Sequence, residues 1–344
     1  WDKKEYSSTE YGTNLLARIM GKTETFSFPK SVHAVIDSIR VCNASQSSTI
    51  LDFFAGSGTT GHAVLELNRK ENTDNRFILI EMGKYFDQVT KPRVLKCVYS
   101  SKWKEGIPTD RESSLSHASK YIRLESYEDA LNNLEPRRDD TQQDLLTAAA
   151  SQGDDGLKEQ YMLRYMLDVE TRESPSLLNI QAFSDPTAYK LMVKRPGSDE
   201  SKEVDVDLLE TFNYLIGLTV EHIAAPQVFS ADFERDIEQR LKLKGRLKQD
   251  AEGPYWFRTV TGTTPDGQKT LVIWRKLTGT PEEENLVLDE WFTRQGYSTK
   301  DSEFQLIYVN GDCTLENLKT AEDTWKVRLL EEDFARLMFD TEGL

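Results

Sequence analysis

One run constrains the fold more than any other part of the chain: Ile50-Leu-Asp-Phe-Phe-Ala-Gly-Ser-Gly-Thr-Thr-Gly61. Its apolar start, Ile50 to Phe54, reads as a buried parallel strand. The glycine loop Gly56-Ser57-Gly58 follows, and Thr59 to Asn68 has the pattern of a helix. A strand feeding a tight turn into a helix N-terminus aims free backbone N–H groups and the positive end of the helix dipole at one point, which suits a bound ligand. The spacing Gly56-x-Gly58-x-x-Gly61 satisfies the dinucleotide fingerprint, and Glu81, 25 residues after Gly56, stands where an acidic ribose ligand is expected. No Gly-Lys-Ser/Thr follows, which excludes a Walker A loop. Asp52, at the strand end, would repel a pyrophosphate. It suits a ligand that presents a cation, such as the amino group of a methionine moiety. S-adenosylmethionine offers that ammonium to Asp52, offers a ribose to Glu81, and has no phosphate. The local chemistry favours the methyl donor and keeps a nicotinamide dinucleotide, hence an NAD-dependent oxidoreductase, as the alternative. A turn that only links strand to helix is the bland reading.

The surroundings extend this unit. Arg76 to Glu81 reads as a second buried strand and Tyr85 to Val98 as a helix, so strand, helix, strand and helix form a βαβ unit on a parallel sheet. Upstream, Asn14 to Met20 forms a short helix and Val32 to Val41 another, with Val32, Val35, Ile36 and Ile39 on one face. Phe26 to Ser31 is extended, because Pro29 biases Phe28 away from the right-handed helical region.

At 344 residues the chain has room for two domains. We expect residues 1–125 to form the C-terminal part of one domain, 126–156 a linker and 157–344 a second, acidic α/β domain. In the second part, Leu124–Leu134, Leu157–Val169, Leu208–His222, Asp232–Gln249 and Asn285–Arg294 read as helices. Tyr189–Val193 and Phe304–Val309 read as strands. Tyr255–Thr261 and Thr270–Trp274 flank the hairpin signal Pro265-Asp266-Gly267, and Val327 to Phe339 reads as a strand then a helix. The net charge of −15 is uneven: residues 1–125 carry 18 Lys and Arg against 15 Asp and Glu, the remainder 25 against 43. The acidic part is a poor platform for a phosphate backbone and a better one for protein partners. Three isolated cysteines, Cys42, Cys97 and Cys313, and four scattered histidines give no disulfide framework and no metal-ligand cluster, so we expect no metal and a cytoplasmic setting. No apolar run reaches about 18 residues, so no membrane partner is expected.

Four segments carry a resemblance to a known family. Asp52-Phe-Phe-Ala-Gly-Ser-Gly-Thr-Thr60 matches the donor loop, Phe26-Ser-Phe-Pro-Lys-Ser31 the preceding Pro-Lys element, and Arg76-Phe-Ile-Leu-Ile-Glu81 the strand with its ribose-binding acid. Tyr308-Val-Asn-Gly-Asp312 together with Glu332 to Phe339 is similar to the C-terminal region. The chain thus resembles the C-terminal portion of a β-ordered DNA adenine-N6 methyltransferase, most like the modification subunit of a type III restriction–modification system. The resemblance implies an α/β fold: part of a Rossmann-like S-adenosylmethionine-dependent methyltransferase sheet, followed by a smaller α/β C-terminal domain. It implies that Lys30 pairs with the donor's carboxylate while Pro29 and Ser31 shape that wall. It implies that Asp52, Phe53, Gly56, Ser57, Gly58 and Thr59 surround the methionine end, that Glu81 holds the ribose and that Met82 lies against adenine. The implied partners are double-stranded DNA, a second modification subunit and a restriction subunit. The family's catalytic element, Asp/Asn-Pro-Pro-aromatic, which acts on a base taken out of the duplex, has no match: Ser184-Asp-Pro-Thr-Ala-Tyr189 lacks the second proline. In this family's order that element precedes the Pro-Lys segment, so the chain reads as a fragment with half of a donor pocket, no catalytic residue, and no activity alone. A docking module for the restriction complex is the companion reading.

Overall fold

The computed structural model describes residues 2–23, 26–42, 46–110, 112–135, 174, 179, 183–194, 200–301, 303–321 and 324–339. They divide into two compact units, 1–123 and 124–344. The helix expected over Leu157–Val169 lies outside the described residues.

In the first unit, α1 spans Leu15–Met20, α2 Val32–Val41, β1 Thr49–Asp52, α3 Thr59–Glu71, β2 Arg76–Leu79 and α4 Lys91–Tyr99. A small hairpin follows, β3 (Trp103–Lys104) with β4 (Ile107–Pro108). The strands β1 and β2 pair in parallel with Thr49 opposite Arg76 and Asp52 opposite Leu79, which makes β1–α3–β2 the expected βαβ unit. The helix α3 is the centre of the unit. Its Ala63, Val64 and Leu67 pack on Val32, Ile36 and Ile39 of α2, and its Leu65 packs on Ile19 of α1 and Val94 and Cys97 of α4. Ile50, Phe77 and Leu79 of the sheet close over these helices. The turns before α1 and α4, Thr9–Asn14 and Phe86–Thr90, are of the wide π type.

Three expectations need correction here. The strands are half-buried rather than buried, since helices cover only one face of a two-stranded sheet; Leu51, Ile78 and Ile80 point from the other face and are 42–50% exposed. The first strand stops at Asp52, so Phe53 and Phe54, expected on the buried strand with at least one of them in the core, stand 60% and 88% exposed on the loop. Phe28 does avoid the right-handed region before Pro29, but it takes a left-handed φ of 56° rather than an extended one.

The N-terminal segment is tied to α2. Lys3 Nζ and Tyr6 Oη donate to Asp37 at 2.6 and 2.7 Å, and Arg40 adds a bond from the same helix. These bonds, from Lys3, then Tyr6, then Arg40, hold the Asp37 carboxyl well below its ordinary 3.8. A depressed carboxyl stabilises the fold above its unfolded value and loses that contribution as pH falls through the folded one. Asp37→Asn is therefore expected to lower the melting temperature at pH 7, with the gap to wild type narrowing as pH drops below 3.8. Melting curves of both proteins across pH check this.

In the second unit, α5 (Tyr127–Asn132) is capped by Ser126, and the strands β5 (Lys190–Lys194) and β6 (Ser201–Asp205) pair antiparallel beside it. Asn133 and Asp129 lock that helix end to the β5 backbone at Met192 and Lys194. Next come α6 (Leu208–Leu215), β7 (Thr219–Ile223), β8 (Gln227–Ser230), β9 (Phe233–Arg235), β10 (Leu241–Leu243) and β11 (Lys248–Gln249). Then follow β12 (Tyr255–Thr263), β13 (Lys269–Arg275), α7 (Pro281–Arg294), β14 (Leu306–Val309), β15 (Lys319–Ala321), β16 (Thr324–Trp325), β17 (Val327–Leu329) and α8 (Leu330–Phe339). A seven-stranded mixed sheet runs β11-β8-β12-β13-β14-β17, with β7 also on β12; β13, β14 and β17 are mutually parallel. Alternation along β13 splits the core. Val272 and Trp274 face α6 and α8 through Phe212 and Phe334, while Leu271 and Ile273 face α7 through Leu288 and Trp291. The unit is α/β, as expected.

Two helices read from sequence are corrected. Leu208–His222 is helical only to Leu215, because Gly217 takes a left-handed φ of 63° and the β-branched run after it joins β12. Asp232–Gln249 is not a helix: its charges flank the β9–β10 hairpin, whose turn is held by Asp236 accepting from the Glu238 and Arg240 amides.

Candidate functional site

Parallel pairing of β1 with β2 solves a spacing problem. Asp52 and Glu81 are far apart in sequence, yet Asp52 faces Leu79 across the ladder, so Glu81 lies two residues further along the same sheet edge. That edge, at the carboxyl ends of parallel strands, is where open α/β sheets hold ligands. The ladder runs on as Ile80 N–H bonds Asp52 O and Ala55 N–H bonds Ile80 O, which seats the glycine loop between the two carboxylates.

Both acids are oriented from below. Glu81 Oε2 accepts the Gly56 amide and Oε1 the Gly83 amide, each at 2.8 Å. Asp52 accepts the Phe54 amide at 3.1 Å and the Thr60 hydroxyl at 2.6 Å. A carboxylate has about four lone-pair positions, so each acid keeps acceptor capacity for a ligand. The Gly58 amide is turned inward onto Ala55 O. Two amides that a phosphate would seek are thus already committed, one of them to a carboxylate at the mouth.

The loop itself needs its glycines. Gly56 and Gly58 have φ of 54° and 77°, and a Cβ on Gly58 would meet Thr90 at 3.2 Å. Left-handed backbone costs an ordinary residue about 1–2 kcal/mol. Gly58→Ala is therefore expected to destabilise the first unit by about 1–3 kcal/mol, read as a lower urea midpoint. The third glycine, Gly61, serves close packing instead, since a Cβ there would press on Leu79 and Val94 at 3.0 and 3.2 Å.

Of the residues singled out by sequence, Asp52, Gly56, Ser57, Gly58, Thr59 and Glu81 come together at this edge. Ser57 and Thr59 are buried and their hydroxyls bond each other, so they face the interior of the unit. Phe53 and Met82 stand on the exposed side, Met82 at 96% exposure. The Pro-Lys element approaches through Phe26, whose ring lies against Gly56 and edge-on to Tyr85 at 4.9 Å. Pro29 and Ser31 are buried, Ser31 donating to Glu5 O at 2.7 Å, while Lys30 is exposed and makes no ion pair among the described residues.

Two residues beneath the loop escaped the sequence reading. Thr90 Oγ1 donates to Gly56 O at 2.5 Å, and the fully buried Arg93 donates to Ser57 O, Ser57 Oγ and Thr59 Oγ1 at 3.2, 2.8 and 3.0 Å. A signal was present: Arg93 falls on the apolar face of α4 with Val94 and Cys97, in line with Val89 of the preceding π turn, where a charge is out of place.

Elsewhere in the unit, a polar cleft of about 360 Å³ is lined by Lys3, Tyr6, His33, Asp37, Arg40 and Glu66 among others. Its charges pair with one another or with neighbouring acids and bases, as in Lys3–Asp37, Arg40–Glu71 and Arg69–Glu66, which leaves it no obvious chemistry. Among the described residues no group of three or more metal-ligating side chains occurs, and no helix is long and apolar enough to cross a membrane.

Comparison with known proteins bears on this edge directly. The profile of the DNA methylase family, of N6 and N4 specificity, matches residues 1–91. The Mod subunit of the type III restriction–modification enzyme EcoPI, from Escherichia phage P1, is 41% identical over 81 residues, which is 24% of this chain and 12% of that protein. The type II methyltransferase M.KpnI of Klebsiella pneumoniae is 41% identical over 73 residues, 21% of this chain and 17% of that protein. The EcoP15I Mod subunit of Escherichia coli is 39% identical over 72 residues, 21% of this chain and 10% of that protein. The matches therefore span less than a fifth of these relatives' length. Residues 1–91, which carry this edge, are thus similar to the DNA methylase family, and the relatives matched there are type III Mod subunits and a type II methyltransferase.

Proposed function

We propose that the chain contributes the donor-binding half of an S-adenosylmethionine-dependent, site-specific DNA adenine-N6 methyltransferase of a restriction–modification system, built on a Rossmann-like sheet. The observation that carries this is the pair of oriented carboxylates, Asp52 and Glu81, flanking a loop whose Gly56 and Gly58 amides are bonded internally. Two anions at the mouth and committed amides oppose a pyrophosphate and suit an ammonium and a ribose diol. In this reading Asp52 takes the ammonium, Glu81 the ribose hydroxyls, Lys30 the carboxylate and the exposed Met82 the adenine face. Pro29 and Ser31 brace that wall, and Phe53, Gly56, Ser57, Gly58 and Thr59 shape the methionine end. The donor, when bound, supplies an electrophilic methyl group. The chain's part is to orient it and to exclude water, which is where proximity contributes most. The chain carries no Asp/Asn-Pro-Pro-aromatic element, so the groups that would hold the target adenine have to come from elsewhere.

The test is thermal stabilisation. A ligand that binds only the native state stabilises by about 2.7 kcal/mol at a hundred times its Kd. S-adenosylmethionine and S-adenosylhomocysteine are expected to raise the melting temperature, and a nicotinamide dinucleotide is not; the reverse pattern supports the oxidoreductase reading and sinks this one.

For the second unit we propose subunit interaction within the restriction complex, with a second modification subunit and the restriction subunit as partners, double-stranded DNA being met elsewhere. The excess of acid in residues 126–344 supports this, because it repels a phosphate backbone. A pull-down of the full chain against those subunits, at rising salt, tests it; absence of capture at low salt counts against it.

A further inference from the structure

Arg93 is 0% exposed, and its side chain touches no carboxylate among the described residues. Its NH1 serves one carbonyl and two hydroxyls of the loop, Ser57 O, Ser57 Oγ and Thr59 Oγ1, while NH2 faces His62 Nδ1 at 3.3 Å and Nε makes no hydrogen bond among the described residues. Burial pushes the guanidinium down to about 10, so it stays charged at neutral pH. The same burial, with Arg93 next in effect, keeps His62 well below its usual value, so the imidazole is neutral and accepts at Nδ1. A cation here is adverse on two counts: it is desolvated without a counter-ion, and it sits under the positive end of α3. Plain packing gives no reason to keep it, since an aliphatic side chain would fill the space at less cost. Its geometry does give a reason. The rigid guanidinium plane reaches the loop oxygens through NH1 and His62 through NH2 at the same time, a two-sided contact that a single lysine ammonium cannot make. Thr90, three residues earlier in the same helical segment, grips the preceding carbonyl, Gly56 O. Between them they pin the left-handed turn at residues 56–58 from its inner side, and the Gly56 amide in turn aims Glu81.

We propose that Arg93 is the positioning residue of the methyl-donor site, setting the shape of the Gly56–Thr59 loop and through it the orientation of Glu81. The proposal rests on the donor reading above. The experiment is hydrogen exchange and S-adenosylhomocysteine calorimetry on wild-type chain and Arg93→Lys, with Arg93→Met as a second variant in case the lysine is trapped without folding. The expected result is exchange at least tenfold faster in peptides covering 55–60, unchanged exchange in α2, and donor-product affinity at least tenfold weaker. Unchanged loop exchange, a uniform rise across the unit, or a loosened loop with wild-type affinity each overturns the proposal. Failure of the wild-type chain to bind S-adenosylhomocysteine overturns the donor reading and this proposal together, whereas wild-type binding with an unaltered variant overturns this proposal alone.

Discussion

Glu81→Ala is expected to weaken S-adenosylmethionine binding by about a hundredfold, about 2.8 kcal/mol at 1.4 kcal/mol per factor of ten. Hydrogen bonds to a charged acceptor contribute about 1.5–3 kcal/mol each, and a ribose diol offers two donors to one carboxylate. The mutation also removes the acceptor that the Gly56 and Gly83 amides share, so the loop loses the anchor at its mouth. Glu81→Gln separates these roles. Its single carbonyl can serve one amide, and its NH2 faces the other, so it is expected to lose affinity nearly as far as alanine. Because Glu81 lies at the edge of the unit and is only half-buried, water can satisfy the released amides and the melting temperature is expected to change little. Calorimetric titration with melting curves as a control checks both halves. Weak binding that comes with a large fall in stability would point to a structural role instead.

Trp274→Ala is expected to destabilise the second unit by about 3–5 kcal/mol. The side chain is 0% exposed, at the centre of the core cluster that joins the sheet to α6 and α8, with Phe212 edge-on at 6.2 Å and Phe183 tilted at 6.4 Å. Its indole N–H makes no hydrogen bond among the described residues. Trp274→Phe keeps aromatic contact and deletes an unsatisfied donor while leaving a smaller void, so it is expected to cost clearly less than the alanine, about 1–3 kcal/mol. Urea unfolding of the two variants gives the comparison. An equal loss in both would mean that the full indole volume, not the ring contacts, supports the core.

Local chemistry made the N-terminal candidate site legible in the sequence. The glycine loop, Asp52 before it and Glu81 after it are short-range signals, and the parallel register of β1 on β2 brings them to one edge as the βαβ pattern requires. The Pro265-Asp266-Gly267 turn likewise led directly to the β12–β13 hairpin. Three other features were set by context. Phe53 and Phe54 look like strand by composition, yet the strand ends two residues earlier, at Asp52, and leaves them on the loop. The run from Asp232 to Gln249 alternates charge with Leu241 and Leu243 and has no turn glycine except Gly245, so a helix and a hairpin are nearly equal by propensity. Pairing of Leu241 with Arg235 and Leu243 with Phe233 decides it. The loop's support, Thr90 and Arg93, lies on an element that sequence reading treated as an ordinary amphipathic helix. Its role depends on a contact 34 to 36 residues away in the chain.

Whether the β1–α3 loop with Asp52 and Glu81 is a methyl-donor site is decided by amide chemical shifts of the full chain during titration with S-adenosylhomocysteine. Saturable shifts are expected at Asp52, Gly56 to Thr59 and Glu81 to Gly83, with none from a nicotinamide dinucleotide. Shifts centred on other residues, or perturbation of this loop by the dinucleotide alone, would contradict this assignment.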